Sequence, residues 1–300
     1  YRYVYVIVAD GSKNYPYILN ANDVTITNGK YYTLKEDVVL NNQIDASINQ
    51  GGIYGQFAYY EYSNKKANST YNLIYKGLNS SIFASNETSF DFKNINIVIE
   101  SSILNVNDDF GLISKVNKGT IEKVNLTISS LDISGNSSKL GLMFAENEGD
   151  IINSIVSGSV IINIPNVSFG GLVSENNGTI KGSYNFLNKT NNEYNANLTI
   201  VDKNNSNIVA GLVATNNGEV TNIKVNAVIK SNANVLAGLI GSIETTDKNY
   251  ENLYFTGSLN NSLASSILGG IIGQVLYNNS FELLSVNFIE NVNNSNYMIS

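Results

Sequence analysis

Short apolar runs recur along the chain and are separated by polar corners rich in asparagine and glycine. A typical run, GLVA at residues 211–214, is too brief and too β-branched for a helix and is typical of a buried strand. The corner Asn217-Gly218 follows it, and both residue types tolerate the positive φ that a tight corner requires. The pattern predicts short strands joined by tight corners.

A second apolar set follows each corner at offsets of three and then two residues, as in Val220, Ile223 and Val225. A regular strand would place both offsets at two, so the extra residue predicts a bend. Stacked asparagines at one bend are expected to form ladders, because each amide can bond to the same amide one rung away. The residues at this bend in successive copies are Asn94, Lys123, Asn153, Gly182, Asn222, Asn252 and Leu283.

The whole unit, with roughly three strand runs per 30 residues, repeats at spacings of 30, 30, 40, 27 and 32 residues. A single unit cannot bury its apolar residues, whereas stacked units can. We therefore expect an all-β fold, a right-handed parallel β-helix (β-solenoid) of about seven to eight coils with repeats of roughly 30 residues. The copies begin at Gly111, Gly141, Gly171, Gly211, Gly238 and Gly270, with weaker copies near Gly52 and Ser81.

Aligning the copies on their leading glycine predicts the core, and that glycine should allow close approach between coils or at a bend. One ladder is expected to contain Leu112, Leu142, Leu172, Leu212, Leu239 and Ile271. The residues that follow are expected to face the opposite way: Ile113, Met143, Val173, Val213, Ile240 and Ile272. We expect residues 1–45 to form N-terminal capping strands, and residues 46–300 to form the repeats of a fragment of a longer protein.

Composition excludes several classes of site. The chain has no His and no Cys, which excludes Ser-His-Asp centres, zinc-thiolate sites and disulfides. A single arginine, Arg2, and a net charge of -7 argue against a nucleic-acid partner. No apolar run approaches the roughly 20 residues that span a bilayer, so no membrane insertion is expected in this segment. The chain is rich in asparagine, which makes up 51 of the 300 residues.

The unit, with its leading Gly-Leu step and its Asn-x-Gly corner, resembles the GLUG motif of bacterial cell-surface proteins, which is related to β-helix adhesins. The clearest matches are residues 171–183 and 211–223, and the resemblance covers about residues 9 to 290. The copies at Gly238 and Gly270 depart from it, because ETTDKNY and VLYNNS replace the corner. The resemblance implies a secreted or wall-attached, adhesin-like repeat region and no catalytic residues.

Two features are candidates for binding. Tyr59, Tyr60 and Tyr62 lie in the tyrosine-rich first quarter of the chain and could stack on sugars or anchor a protein, or could simply fill strand positions and cover an open end. The 40-residue repeat carries about ten extra residues between 186 and 207. They are expected either to emerge as a loop, where binding often resides, or to be a change in loop length that costs little closure entropy.

Acidic residues are the remaining candidates for chemistry. Asp108 and Asp109 are the only adjacent Asp pair, and they fit either a Ca²⁺-binding loop or a solvated turn. Adjacent strand residues point to opposite faces, so the pair is a poor catalytic dyad. We expect no metal and no cofactor.

The favoured function is a non-enzymatic, surface-exposed structural or adhesion module at the cell surface that binds a host or cell-surface glycan or protein. One alternative is a carbohydrate-active β-helix enzyme, a lyase or hydrolase, which would need two carboxylates about 5–10 Å apart in a groove. Another is a subunit that self-associates end to end into a sheath or filament, because open ends of a stack template pairing.

Overall fold

A computed structural model describes residues 9–19, 25–45, 47–55, 71–84, 87–185, 193–245, 248 and 250–276, and the backbone of 287–290. Within these residues the regular structure is entirely β. Every pairing between the described strands is parallel. The predicted all-β class and the parallel pairing are therefore confirmed.

The strands are short, apart from a few that run through a bend. In chain order they are β1 (Tyr17–Leu19), β2 (Lys30–Leu34), β3 (Val38–Leu40), β4 (Gly51–Tyr54), β5 (Asn72–Tyr75), β6 (Glu87–Thr88), β7 (Asp91–Ile99), β8 (Ser102–Val106), β9 (Phe110–Gly111), β10 (Ser114–Asn117), β11 (Thr120–Gly135), β12 (Lys139–Gly141), β13 (Phe144–Asn147), β14 (Asp150–Ile152), β15 (Ile155–Asn163), β16 (Ser168–Gly170), β17 (Val173–Asn176), β18 (Thr179–Lys181), β19 (Ala196–Asp202), β20 (Ile208–Ala210), β21 (Val213–Asn216), β22 (Glu219–Ser231), β23 (Val235–Ala237), β24 (Ile240–Ile243), β25 (Tyr250–Asn261), β26 (Ile267–Gly269), β27 (Ile272–Val275) and β28 (Asn287–Glu290).

These strands form three sheets. The first sheet has the central order β1-β2-β4-β7-β11-β14-β18-β22-β19-β15, to which β3, β5, β8, β25 and β28 are joined. The second has the order β27-β24-β21-β17-β13-β10-β6, and the third has the order β26-β23-β20-β16-β12-β9. Each repeat visits the third, second and first sheets in turn, as β20, β21 and β22 do, and the next repeat pairs with it strand by strand. The predicted three strand runs per repeat thus correspond to the three sheets.

The predicted bend in the first sheet is present. Five residues at that position have positive φ: Asn94, Lys123, Asn153, Asn222 and Asn252. The flanking apolar residues are buried on both sides, as shown by Val220 and Ile223. Asn252 Nδ2 donates to Asn222 Oδ1 at 2.7 Å, so this bend carries an amide pair of the expected kind. Leu283 lies outside the described residues.

The predicted core ladder is wrong in its first two rungs. Backbone hydrogen bonds join Ile113 to Met143 and Met143 to Leu172, so Leu112 and Leu142 stand one residue out of register with Leu172. Gly141 pairs with Gly170, not with Gly171. The observed ladder is Ile113, Met143, Leu172, Leu212, Leu239 and Ile271.

The expected opposite orientation of the following residues is also wrong, because Val173, Val213 and Ile240 are as fully buried as Leu172. The step from Leu172 to Val173 lies where the chain leaves β16 and enters β17. Inside and outside do not alternate across such a corner, so both neighbouring side chains can enter the interior.

Glycine permits the close approach of rungs that was expected. A Cβ on Gly211 would lie 2.2 Å from the Gly238 carbonyl oxygen, and a Cβ on Gly238 would lie 1.9 Å from that of Gly270. Real Cβ atoms do not approach a backbone oxygen so closely, so only glycine allows the rungs to stack here.

The Asn-x-Gly corner forms a buried amide ladder. Asn117 Nδ2 donates to Asn147 Oδ1 at 2.7 Å, Asn147 Nδ2 to Asn176 Oδ1 at 2.8 Å, and Asn176 Nδ2 to Asn216 Oδ1 at 2.7 Å. The Asn216 amide donates to the Tyr250 hydroxyl at 2.9 Å, which ends the ladder where the next repeat lacks asparagine. Each amide is thereby satisfied inside an apolar core.

The N-terminal strands continue the same parallel arrangement. β1 and β2 extend the first sheet, and β3 pairs with β5. Above them the rings of Phe83, Phe90 and Phe92 pack with centroids 5.3 to 5.9 Å apart. Strands β1, β2 and β3 therefore add rungs to the sheet that the repeats build.

Candidate functional site

Four side chains from successive repeats meet on the outer face of the first sheet, and we name them the Tyr–Lys cluster: Tyr184, Tyr194, Lys224 and Tyr254. Lys224 on β22 and Tyr254 on β25 are register partners. Lys224 Nζ lies 4.5 Å from the Tyr194 ring centroid and 5.6 Å from that of Tyr254. The Tyr184 and Tyr254 rings are tilted against each other, with centroids 5.3 Å apart. An ammonium over aromatic faces is a favourable cation–π arrangement.

The 40-residue repeat supplies two of these tyrosines, Tyr184 and Tyr194, because the register of β18 and β19 places its extra residues between these two strands. Tyr184 N donates to the Asn222 carbonyl at 2.9 Å, which fixes the first flank. Asn195 fixes the second flank, because its N–H donates to the Lys224 carbonyl at 2.7 Å and its Oδ1 accepts from Lys224 N at 3.1 Å. The insertion thus begins and ends against β22, and this places Tyr194 beside Lys224.

Burial divides the cluster into anchored and accessible members. Tyr184 and Lys224 are buried, whereas Tyr194 and Tyr254 are partly exposed. Burial raises the pKa of the Tyr184 hydroxyl, and Tyr254 adds to the shift. Tyr184 therefore stays neutral at physiological pH. Two partly open rings around a cation form a surface that can stack on a sugar ring or hold an apolar side chain of a partner.

A second polar cluster lies on the outer face of the second sheet. Glu146 and Glu175 are register partners on adjacent strands, and Lys139 Nζ lies 3.5 Å and 2.5 Å from their carboxylates. Asn177 Nδ2 also donates to both carboxylates, at 2.8 and 3.0 Å. Partial burial works to lower the pKa of Lys139, but its bond to Glu175 and the charge of Glu146 outweigh burial and raise that pKa. Both carboxylates thus have bonding partners within the protein.

A cavity formed by described residues lies elsewhere. It has a volume of about 720 Å³ and is lined by residues 25–28, 39–45 and 47–48. Its one carboxylate is Asp45, which accepts from the Ser47 backbone at 2.9 Å. Glu146 and Glu175 do not line this cavity, so the carboxylate pair and the cavity do not form a common site.

Asp108 and Asp109 bind neighbouring protein groups. Lys115 Nζ lies 2.9 Å from Asp108, and this bond lowers the pKa of that carboxyl group. Asp109 Oδ1 accepts from the Ser138 backbone N–H at 3.1 Å, the Ser138 hydroxyl at 2.7 Å and the Lys139 N–H at 2.9 Å. The pair joins two successive repeats at a turn. In the described part of the chain, no group of three or more His, Cys, Asp or Glu could hold a metal ion.

The tyrosines predicted as a binding patch, Tyr59, Tyr60 and Tyr62, lie outside the described residues. Other N-terminal tyrosines fill strand positions, since Tyr32, Tyr54 and Tyr75 are buried. The length of the 40-residue repeat pointed to this region, but the Tyr–Lys cluster itself was not predicted. The available signal was a tyrosine at each flank of the insertion, Tyr184 and Tyr194.

Comparisons of the chain with protein-family models, with curated proteins and with solved structures found no match. Among the described residues no helix is long and apolar enough to cross a membrane.

Proposed function

We propose that the chain is a right-handed parallel β-helix of the GLUG-like type, serving as a non-enzymatic structural and adhesion module at the cell surface. The observation that carries the proposal is the passage of successive repeats through the same three parallel sheets. Stacked glycines and the buried asparagine ladder support it, because both need each repeat to lie directly on the next. The right-handed sense follows from the strong preference of parallel crossovers.

Adhesion is assigned to the Tyr–Lys cluster. Its partly exposed rings provide aromatic contact surface, and it lies beside the insertion of the longest repeat. In repeat proteins, insertions emerge on one face and commonly carry binding residues. The partner in this proposal is a host or cell-surface glycan or protein.

The alternative of a glycan-cleaving enzyme rests on Glu146 and Glu175. General acid catalysis needs one carboxyl group protonated and one ionised. Glu146 and Glu175 instead bond to the same Lys139 ammonium and the same Asn177 amide, so the two carboxylates lie in like surroundings. We therefore assign this cluster a structural role, in which it ties two rungs together.

Binding assays test the proposal. The 300-residue chain is applied to a glycan array, to immobilised extracellular-matrix proteins and to intact cells. We expect binding that falls several-fold in Tyr194→Ala and Tyr254→Ala and is unchanged in Tyr15→Ala, an exposed tyrosine elsewhere. Tyr59→Ala/Tyr60→Ala, measured in parallel, tests the patch expected from sequence. The adhesion role would be contradicted if the chain bound to none of the three surfaces.

A further inference from the structure

Two columns of uncharged side chains run along the outer face of the first sheet, across β11, β15, β19, β22 and β25. Pairing in register places one residue of each of these strands in the first column, and one residue of β15, β19, β22 and β25 in the second. The first column consists of Thr127, Ser157, Asn197, Asn226 and Thr256. All five are partly or fully exposed.

The second column lies two residues further along the strands and consists of Ser159, Thr199, Val228 and Ser258. Val228 is 48% exposed, which is unusual for a valine within a sheet. Its neighbours in the column are the hydroxyl residues Thr199 and Ser258. We name the two columns together the hydroxyl–amide face.

The hydroxyl–amide face has free hydrogen-bonding capacity along its length. Asn226 Nδ2 donates to Asn197 Oδ1 at 2.9 Å. No described protein group bonds to the hydroxyls of Thr127, Thr199 or Thr256 in this structure. Each such hydroxyl can donate one hydrogen bond and accept two.

The absence of charge in these columns sets this face apart from the outer face of the second sheet. There, Glu87, Glu146 and Glu175 lie in one register column with lysines beside them. The hydroxyl–amide face also lacks the Trp, Tyr and Arg side chains that usually dominate protein interfaces. A regular array of neutral donors and acceptors suits a partner with neutral hydroxyl groups at a regular repeat.

We propose that this face binds a neutral polysaccharide chain that lies along the stacking direction. Rungs repeat at ~4.8 Å, which is close to the length of one sugar ring in an extended chain, so successive sugars can meet successive strands. Val228 offers an apolar contact to the C–H face of a sugar, and the hydroxyl and amide groups bind its hydroxyls. Lys224 and Tyr254, two residues from Asn226 and Thr256, border the first column. The inference rests on the proposed function and specifies its ligand class.

Depletion by insoluble polysaccharide tests this inference. The 300-residue chain is mixed with microcrystalline cellulose or chitin as neutral probes, and with polygalacturonate gel as an anionic probe. We expect binding to at least one neutral probe, and binding at least about tenfold weaker for Asn226→Lys/Val228→Lys, because buried charge and lost hydrogen bonds both oppose contact. Thr215→Lys on the second sheet is the matched control and should bind within about twofold of wild type.

Far-UV circular dichroism verifies that each variant folds. If Asn226→Lys/Val228→Lys does not fold, Ser159→Lys is used in its place. Equal binding by the folded face variants and wild type, or binding only to polygalacturonate, overturns the inference. Binding to a protein or cell surface through Tyr194 and Tyr254, with no binding to a neutral probe, overturns the inference and leaves the proposed function standing. No binding in any assay overturns both.

Discussion

At the residue scale, polar groups inside the stack are tolerated where they are paired. Asn176 is fully buried, yet its amide donates to Asn216 and its Oδ1 accepts from Asn147. Asparagine suits this position because its side chain both donates and accepts, so identical residues can pair without limit along the stack. The ladder therefore joins successive repeats inside the core, in addition to stabilising the corner of each repeat.

Replacement of Asn176 by alanine should lower the free energy of unfolding by about 3 kcal/mol, because two ladder bonds are lost and buried partners are left unpaired. Chemical denaturation monitored by circular dichroism measures the change. The neighbouring exposed Asn177→Ala should cost much less. Equal losses in the two variants would show that the ladder contributes no special stability.

Asp202 makes stability depend on pH. The residue is 4% exposed, and burial raises the pKa of its carboxyl group despite a 2.7 Å bond from the Ser231 hydroxyl. Since the folded state favours the protonated form, this contribution is fully present below the ordinary Asp pKa and is lost as pH rises through the raised pKa. The free energy of unfolding of wild type, relative to that of Asp202→Asn, should thus decrease as the pH rises from strongly acidic to neutral. Chemical denaturation of both proteins across that pH range measures this difference. A difference that stays constant with pH would contradict the prediction.

At the element scale, the Asn-x-Gly corner between the second and first sheets sets the register. Counted back from the Asn-x-Gly corner, the leading glycine is six residues from Asn117 and Asn147 but five from Asn176 and Asn216. Alignment on the corner would have predicted the observed ladder, whereas alignment on the glycine misplaced Leu112 and Leu142. The corner is the better reference because its buried amides must meet their partners, while a one-residue slip at the Gly-Leu step still buries an apolar side chain.

The Gly-Leu step, where the chain passes from the third sheet to the second, has a strong glycine requirement. Gly211→Ala should lower the free energy of unfolding by about 3 kcal/mol, because the added Cβ overpacks against the next rung. Gly77→Ala is the control for backbone strain without crowding. Gly77 has positive φ, but nothing lies within 4 Å of the place that an added Cβ would occupy, so its cost should be about 1 kcal/mol. Thermal unfolding of both variants provides the comparison, and a smaller loss for Gly211→Ala than for Gly77→Ala would contradict the packing explanation.

At the scale of the whole molecule, each repeat contacts chiefly its two neighbours, so a complete repeat should be removable. Deletion of residues 211–237 joins Ala210 to Gly238, and Ala210 and Ala237 are register partners. The shortened chain should keep its β content per residue and unfold in one transition at a lower midpoint. Deletion of residues 211–230, which removes only part of a repeat, should disrupt folding. Equivalent behaviour of the two deletions in circular dichroism would contradict stacking by whole repeats.

The order of residues along the chain was enough to predict the strand class, the three strand runs per repeat, the bend at Asn94 and its counterparts, and the need for glycine. These follow from local rules of apolar spacing and of positive φ, which act within a few residues. The register of the core ladder, the pairing of Glu146 with Glu175 and the meeting of Tyr184, Tyr194, Lys224 and Tyr254 became visible only in three dimensions. Those outcomes depend on which residues of repeats 27 to 40 residues apart come to lie side by side, and that is set by packing between rungs.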